Sequence, residues 1–231
     1  MRLILVRHFR TESNVARCIM GWGDAPPATN WEDDLRAVDA CLVKRELAID
    51  AIFSSDLGRA RETARYFARQ RGIARVESHL AFNEVHYGDL LGLDKDSVAT
   101  LYPLFKKDPD FVFPGGESFR QMQARAKAKV LELAARYPDR TLLLVAHAGV
   151  IRALICHFLA LDLGENLKRK VSHRYVGDFL LQEGQCLRYD ELCQLSGFVR
   201  DRIISLPWIP DLPPGPPGHA CDRPPGPPGH A

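Results

Sequence analysis

The sequence lacks the signatures of several large classes of protein. It has no C-x-x-C pair, no H-E-x-x-H helix and no Walker A loop, so no motif predicts a metal site or a nucleotide P-loop. No apolar run is long enough to span a bilayer or to serve as a signal peptide. The 31 basic and 29 acidic side chains leave a net charge of +2, which gives no overall attraction to nucleic acid or to a membrane surface. Any attraction to an anionic substrate must therefore be local.

The cysteines are scattered along the chain rather than paired in a motif. They are Cys18, Cys41, Cys156, Cys186, Cys193 and Cys221. With 231 residues, of which 46% are hydrophobic, the chain is large enough to form a core without disulfide bonds. We therefore expect reduced thiols in a cytoplasmic protein.

Three short apolar runs predict buried strands, and each is followed by a residue suited to binding phosphate. The runs cover residues 3–6, 51–55 and 141–146. They lead into Arg7 and His8, Arg59, and His147 respectively. Open α/β sheets bind ligands at the carboxyl ends of their strands, so we expect these side chains to meet at one edge. A neutral imidazole can attack phosphorus, and a guanidinium can hold phosphate oxygens with two parallel hydrogen bonds.

Four motifs in the same order resemble those of one family. Arg7 and His8, with Thr11 and Asn14, resemble the R-H-G-x-T-x-x-N signature of the histidine phosphatase superfamily, also called the phosphoglycerate mutase-like family. The other three are residues 54–60, similar to S-S-x-L-x-R-A; residues 83–92, similar to L-x-E-x-x-[FY]-G-x-x-x-G; and residues 145–152, similar to the second-histidine motif, usually written H-G-G. The ordered set covers about residues 3–152 and is much more specific than any single motif.

The resemblance implies roles for the residues that match these motifs. His8 would be the nucleophile and become phosphorylated, because imidazole titrates near neutrality and a useful fraction is unprotonated. Arg7, Arg59 and His147 would surround the phosphoryl oxygens and stabilise their charge. Asn14 would add a neutral hydrogen bond. No cofactor and no metal are implied.

The resemblance also implies that Glu84 donates a proton to the leaving alkoxide and later draws one from the attacking water. A solvated loop carboxylate is the alternative interpretation for Glu84, and capping of the following helix is the alternative for Thr11. Four further histidines are interpreted as structural because no motif assigns them a role: His79, His86, His157 and His173. An alternative places His173, with Arg174, at the mouth of the pocket.

Helical patterns alternate with the short apolar strands, which predicts an α/β fold. We predict a single three-layer α/β/α domain over residues 1–206, with a mostly parallel central sheet and a closing hairpin around residues 183–184. A small cap insertion is predicted at about 94–118. Residues 207–231 contain Pro-Pro-Gly-Pro-Pro-Gly-His-Ala twice, a composition that cannot form a core, and we expect them to be disordered.

Two departures from the family pattern stand out. Met20 replaces a frequent glutamine, and Phe9 follows the predicted nucleophile where glycine is usual. Glycine tolerates a positive φ, which is disfavoured for phenylalanine. We expect the backbone to keep the family conformation, with the Phe9 ring beside the pocket and narrowing it. The alternative is a relaxed turn that displaces His8.

The sequence thus predicts a phosphomonoesterase that hydrolyses a small-molecule phosphate through a phosphohistidine on His8. Short segments between motifs, and the resemblance of residues 114–118 to P-G-G-E-S, favour the phosphatase branch, such as alpha-ribazole phosphatase-like or broad-specificity enzymes. One alternative is phosphoglycerate mutase-type phosphoryl transfer in the same pocket. Another is a noncatalytic phospholigand-binding or scaffold protein. The expected partner is a small phosphate ester rather than nucleic acid or a membrane, and a homodimer is left open.

Overall fold

A six-stranded sheet forms the centre of the molecule, which the computed structural model describes over residues 1–193. The strands are β1 (Arg2–Arg7), β2 (Ala51–Ser54), β3 (Val76–Ser78), β4 (Thr141–Ala146), β5 (Val176–Gln182) and β6 (Gln185–Glu191). Their order across the sheet is β3-β2-β4-β1-β5-β6. The first four strands pair in parallel, whereas β5 runs antiparallel to both β1 and β6. The predicted mostly parallel α/β sheet and its closing hairpin are confirmed.

The helices are α1 (Glu12–Val15), α2 (Trp31–Lys44), α3 (Gly58–Arg71), α4 (Lys95–Leu101), α5 (Phe119–Arg136), α6 (Ala148–Phe158) and α7 (Leu163–Asn166). Two 3-10 turns, Leu80–Phe82 and Gly88–Leu90, interrupt the segment between β3 and α4. Within residues 1–193, none of the helices combines the length and the apolar character that crossing a membrane requires.

Alternating side chains on the central strands build a core on each face of the sheet. On β1, Leu3 and Leu5 join a large cluster with α5 and α6, whereas Ile4 and Val6 join a smaller cluster with α2 and α3. All four side chains are almost fully buried, and each stabilises the fold by roughly 1.5–3 kcal/mol relative to an exposed position. Helices therefore cover both faces, which gives the predicted three layers.

The register of β1, β2 and β4 aligns their carboxyl ends along one edge of the sheet. Val145 on β4 lies opposite both Val6 on β1 and Ser54 on β2. The pairing of β1 with β4 continues just past the end of β1, where the His8 N–H donates to the Ala146 carbonyl at 3.0 Å. The side chains after β1, β2 and β4 consequently emerge next to one another, as the strand pattern predicts.

Several element boundaries differ from the sequence pattern. The residues after the first motif predict a short helix over 12–19, but α1 ends at Val15, because Arg17 takes a positive φ of 61° that an α-helix does not accept. The sequence after the third apolar run predicts a helix over 150–161, but α6 begins two residues earlier, at Ala148, so that His147 is its N-cap residue. Residues 94–118 contain α4 and a turn-rich loop that reaches the large core through Phe105 and Phe113. The segment 207–231 lies outside the described residues.

Candidate active site

A cavity of about 1010 Å³ opens where β1, β2 and β4 end. Five of the six predicted site residues line it, and they are Arg7, His8, Asn14, Arg59 and Glu84. His147, the sixth, is not part of the lining. Ten basic side chains border the cavity: Arg7, Arg10, Arg17, Arg59, Lys95, Lys106, Arg152, Lys168, Arg169 and Lys170. Among the described residues lining it, Glu84 is the single carboxylate. The chain as a whole is nearly neutral, so positive charge is concentrated here and the cavity suits an anion.

His8 is held in one tautomer by the backbone. It is 2% exposed, and its Nδ1 lies 2.5 Å from the Phe9 carbonyl oxygen. A carbonyl only accepts, so Nδ1 carries the proton and the neutral ring keeps its free electron pair on Nε2. Burial, followed by the charges of Arg59 and His147, lowers the pKa of His8 well below its usual value. The ring is therefore a neutral imidazole at physiological pH.

The His147 ring lies next to the His8 ring, with the two ring centroids 5.0 Å apart. Its Nε2 is 2.8 Å from the Ser55 hydroxyl, which donates to Asn83 Oδ1 at 2.8 Å. The backbone N–H of Asp56 also donates to Asn83 Oδ1, which fixes that atom as the amide oxygen. Since the Ser55 proton goes to Asn83, the His147 ring donates to Ser55 through Nε2. This chain of hydrogen bonds leaves His147 Nδ1 as the unpartnered nitrogen.

The two arginines predicted to bind phosphate are anchored by backbone carbonyls. Arg59 is 2% exposed and donates to the carbonyls of Gly23 at 2.6 Å and Gly21 at 2.7 Å. Arg7 donates to the carbonyl of Val171 at 2.5 Å. Burial is the main cause that lowers the pKa of Arg7 to about 9 and that of Arg59 to about 10, and Glu84 opposes both shifts. Both guanidinium groups consequently remain charged at neutral pH.

Four buried nitrogen atoms at this end of the sheet have no hydrogen-bond partner among the described residues. They are the Nε atoms of Arg7, Arg59 and Arg152, and Nδ1 of His147. Leaving a buried polar group unpaired costs about 1–3 kcal/mol, so native structures rarely concentrate them without a ligand. An anion with several oxygen atoms would accept from the three arginine Nε–H groups and remove their part of that cost, whereas Nδ1 of the neutral His147 ring donates only after it takes up a proton.

Glu84 is held by two backbone donors. Its Oε1 accepts from the Val85 N–H at 3.0 Å, and its Oε2 accepts from the Gly149 N–H at 3.1 Å. The carboxylate borders the cavity and interacts electrostatically with both Arg7 and Arg59. A merely solvated loop carboxylate, the alternative interpretation, does not describe this geometry.

Thr11 and Asn14 form a capping box at the start of α1. The Thr11 hydroxyl accepts from the Asn14 N–H at 3.4 Å, and Asn14 Oδ1 accepts from the Thr11 N–H at 3.2 Å. Thr11 therefore has the capping role that was its alternative interpretation. Asn14 also lines the cavity, and because its oxygen is occupied, its amide nitrogen is the end that can donate to a ligand.

Phe9 does not narrow the cavity, which corrects the expectation from the sequence. The residue is absent from the cavity lining, and its ring packs at 4.7 Å from the Trp31 ring within the smaller core. Phe9 is not among the residues with a positive φ, so the turn does not require glycine. Its N–H donates to the Thr63 hydroxyl at 3.0 Å, which fixes the backbone after His8.

The sequence interpretation missed several residues of the site. His173, interpreted as structural, lines the cavity and places its Nδ1 2.9 Å from the His8 carbonyl oxygen, as the pocket-mouth alternative anticipated in part. Arg152 lies one helical turn after Ala148 on α6, and that i,i+4 spacing was the available signal. Lys106 and Lys95 come from the 94–118 segment and had no motif. Within residues 1–193, no group of three or more His, Cys, Asp or Glu side chains is arranged to hold a metal ion.

Comparison with known proteins agrees with this geometry. Residues 3–186 match the family described as Histidine phosphatase superfamily (branch 1). A 2,3-bisphosphoglycerate-dependent phosphoglycerate mutase from Xanthobacter autotrophicus is 31% identical over 179 residues, covering 74% of this chain and 86% of the relative. The structure of the mycobacterial glucosyl-3-phosphoglycerate phosphatase complexed with VO3 is 28% identical, with a TM-score of 0.69, and the match covers 83% of this chain and 97% of that one.

A third comparison concerns the fold alone. The alpha-ribazole phosphatase from Shigella flexneri superposes with a TM-score of 0.73 at 22% identity, covering 84% of this chain and 96% of that one. The family match spans most of the chain, and the relatives are phosphatases or mutases, which are enzymes of phosphoryl transfer. The chain therefore belongs to branch 1 of the histidine phosphatase superfamily.

Proposed function

We propose that this protein hydrolyses small-molecule phosphate monoesters through a phosphohistidine intermediate on His8. The observation that carries the proposal is the hydrogen bond from His8 Nδ1 to the Phe9 carbonyl, which leaves Nε2 as an unprotonated nitrogen beside a strongly cationic cavity. A nucleophile with a free electron pair and an anion site next to it are the two requirements of covalent phosphoryl transfer.

In the first step, His8 Nε2 attacks phosphorus, a P–N bond forms and the P–O bond to the leaving group breaks. Arg7 and Arg59 hold the equatorial oxygens, where their unpartnered Nε–H groups supply additional donors. The Nδ1 atom of His147 joins them as a donor once the bound dianion has favoured its protonation. Glu84 in its acid form gives its proton to the departing alkoxide, which leaves as the alcohol.

In the second step, water attacks the phosphohistidine and the P–N bond breaks. The Glu84 carboxylate takes a proton from the water, which returns it to its acid form, while inorganic phosphate leaves and His8 regains its neutral tautomer. Held by the Val85 and Gly149 N–H groups, this carboxylate needs little movement between the two steps.

A mutase-type phosphoryl transfer is the second candidate, and a specific observation favours it. Lys95, Lys106 and Arg152 line the cavity in addition to the arginines that would hold the transferred phosphate. A second cationic cluster suits a substrate with a second anionic group, such as a bisphosphate that returns its phosphoryl group to His8. The curated relative named above is called a phosphoglycerate mutase, which supports the same candidate.

The two candidates are separated by what happens to the phosphoryl group. A panel of phosphomonoesters is assayed for free phosphate, beside a coupled mutase assay with a bisphosphate primer. Release of phosphate faster than phosphoryl exchange supports the hydrolase. Exchange that outpaces hydrolysis supports the mutase, and absence of both with folded protein would overturn catalysis.

A further inference from the structure

Glu84 is carried by a segment that has little regular structure of its own. Between the 3-10 turns Leu80–Phe82 and Gly88–Leu90, the chain has neither helix nor strand. The backbone of this segment must therefore be fixed by other parts of the protein if the carboxylate is to keep one direction. One arginine and one glutamate bond to its main chain on both sides of Glu84.

Arg125 on α5 holds the segment from its amino-terminal side. Its Nη1 donates to the Ala81 carbonyl at 2.8 Å, and its Nη2 donates to the Glu84 carbonyl at 2.9 Å. The same Glu84 carbonyl accepts from the Trp22 indole N–H at 2.6 Å. The guanidinium of Arg125 also lies over the Trp22 ring, 5.9 Å from its centroid. Arg125 thus reaches the main chain of Glu84 both directly and through its contact with Trp22.

Glu117, just before α5, holds the segment from its carboxyl-terminal side. Its Oε1 accepts from the His86 N–H at 2.9 Å, and its own N–H donates to the His86 carbonyl at 2.9 Å. The carboxylate also accepts from Arg125, with Oε2 bonded to Nε at 3.0 Å and Oε1 to Nη2 at 2.5 Å. This two-pronged ion pair is mostly buried, with side chains 18% and 17% exposed, and its geometry is rigid.

We propose that Glu117 and Arg125 are positioning residues that fix the backbone on both sides of Glu84 and thereby set its efficiency as a proton donor. Neither side chain lines the cavity, so both act through Glu84 rather than by touching substrate. A donor must lie within hydrogen-bond reach of the leaving oxygen, and a displacement of about 1 Å can cost about a hundredfold in rate. The inference rests on the proposed function, in which Glu84 protonates the leaving group.

The test compares leaving groups, since proton donation matters for an alkyl phosphate and hardly at all for an activated aryl phosphate. Arg125→Lys keeps the positive charge but loses the planar guanidinium, whose N–H groups bind two carbonyls and a carboxylate at once. Glu117→Gln keeps an acceptor for the His86 N–H and loses the ion pair. We expect each variant to lower kcat for the alkyl phosphate by about tenfold to a hundredfold and kcat for the aryl phosphate by less than about threefold.

Arg120→Lys is the matched control, because Arg120 is on the same helix and pairs with Asp110 at 3.1 Å on the exposed surface, away from the segment. It should leave the alkyl-to-aryl ratio of kcat unchanged. Melting temperatures show whether the variants fold, and Glu117→Gln, the milder change, stands in should Arg125→Lys fail to fold. Equal losses on both substrates, or no loss in folded variants, would overturn the positioning role.

Glu84→Gln separates this inference from the proposed function. If that variant changes the alkyl-to-aryl ratio and the two positioning variants do not, the positioning role is wrong and the function stands. If Glu84→Gln does not change the ratio, Glu84 is not the donor and the proposed mechanism fails first. A double variant, Glu84→Gln with Arg125→Lys, should change the ratio no further than Glu84→Gln alone, because residues acting as one unit are not additive.

Discussion

Gly149 gives its backbone N–H to the Glu84 carboxylate at 3.1 Å, and the space that a side chain at Gly149 would fill is occupied by that same carboxylate. A Cβ built at this position overlaps Glu84 Oε1. The glycine is therefore required by close approach rather than by an unusual φ, since Gly149 is not among the residues with positive φ. The second-histidine motif therefore supplies both His147 and the glycine N–H that holds the Glu84 carboxylate.

We expect Gly149→Ala to displace the Glu84 carboxylate and to lower kcat for an alkyl phosphate by about tenfold to a hundredfold. An activated aryl phosphate should be affected much less, because it leaves without a proton. Gly164→Ala is the control, since a Cβ there would approach Asp162 Oδ1 at 3.1 Å and Gly164 does not line the cavity. The measurement is the ratio of kcat for the two substrates, and an unchanged ratio in a folded variant would argue against the displacement.

His8→Ala should remove both turnover and the covalent intermediate. After brief exposure to a good substrate, the wild-type protein should carry phosphate in an acid-labile, base-stable linkage, as expected for phosphohistidine. His157→Ala changes a histidine at the far end of α6 and should keep the label. Label that persists in the His8 variant would place the nucleophile on another residue.

Phe9→Gly should destabilise the fold without widening the substrate range. The Phe9 ring is 4% exposed and belongs to the smaller core, and removing a buried phenylalanine side chain typically costs about 3–5 kcal/mol. Phe9→Leu keeps most of the apolar volume and should cost less than about 1.5 kcal/mol. Denaturant unfolding gives the stability, and KM for a small and a bulky phosphate ester gives the selectivity. A stable Phe9→Gly protein that accepts bulky esters would restore the original expectation that the ring narrows the cavity.

The parts of the site that follow directly from strands were predictable from the sequence. His8, Arg59 and His147 come just after buried apolar runs, and parallel pairing brings the ends of such runs together. Glu84 was identified by its motif, because a loop residue has no periodic pattern that fixes its position. Asn14 was found in the same way.

The remaining residues depend on tertiary packing that no local pattern encodes. The contact of His173 with the His8 carbonyl requires the loop before β5 to pass over the end of β1. The predicted direction of the Phe9 ring was wrong, because that direction depends on the backbone φ of Phe9 and on its contact with Trp31 at the start of α2. Lys106 is 98 positions away from His8 in the sequence, and only the fold of the 94–118 segment brings it to the cavity.

Acid should destabilise the protein through His173. Burial, followed by the charge of Arg7, lowers the pKa of His173 to about 3, whereas an unfolded histidine has a pKa near 6.5. Between these two values the unfolded chain binds the proton and the folded chain does not, so stability falls as pH drops below 6.5. The expected loss from this residue is about 1.4 kcal/mol at pH 5.5 relative to pH 7.5.

His173→Asn isolates this effect, because asparagine keeps an N–H donor for the His8 carbonyl and does not titrate. Urea unfolding of both proteins at the two pH values gives the change in the free energy of unfolding for each. The contributions of the other titrating groups cancel in the difference between the two proteins. The variant should lose about 1.4 kcal/mol less than the wild type on acidification. A loss equal to that of the wild type would show that His173 accepts its proton in the folded state.

The last prediction concerns the pH dependence of binding by Lys106. Burial, followed by the charges of Arg152 and Lys95, lowers the pKa of Lys106 to about 7. A bound anion favours the charged ammonium and so raises this pKa in the complex. Binding of a ligand that reaches Lys106 therefore takes up a proton, and its affinity should fall as pH rises above 7, by up to about tenfold per pH unit.

The experiment compares inhibition by a bisphosphate with inhibition by inorganic phosphate between about pH 7.5 and 8.5, where inorganic phosphate is mostly in its doubly charged form. We expect inorganic phosphate to bind beside His8 and not to reach Lys106, so it serves as the reference and the ratio of the two inhibition constants reports Lys106. Lys106→Arg stays charged and should give a ratio that is flat with pH, whereas Lys106→Met should give a flat ratio with weaker bisphosphate binding throughout. A ratio in the wild type that is already flat would show that the bisphosphate does not reach Lys106, and it would remove the main structural argument for mutase-type transfer.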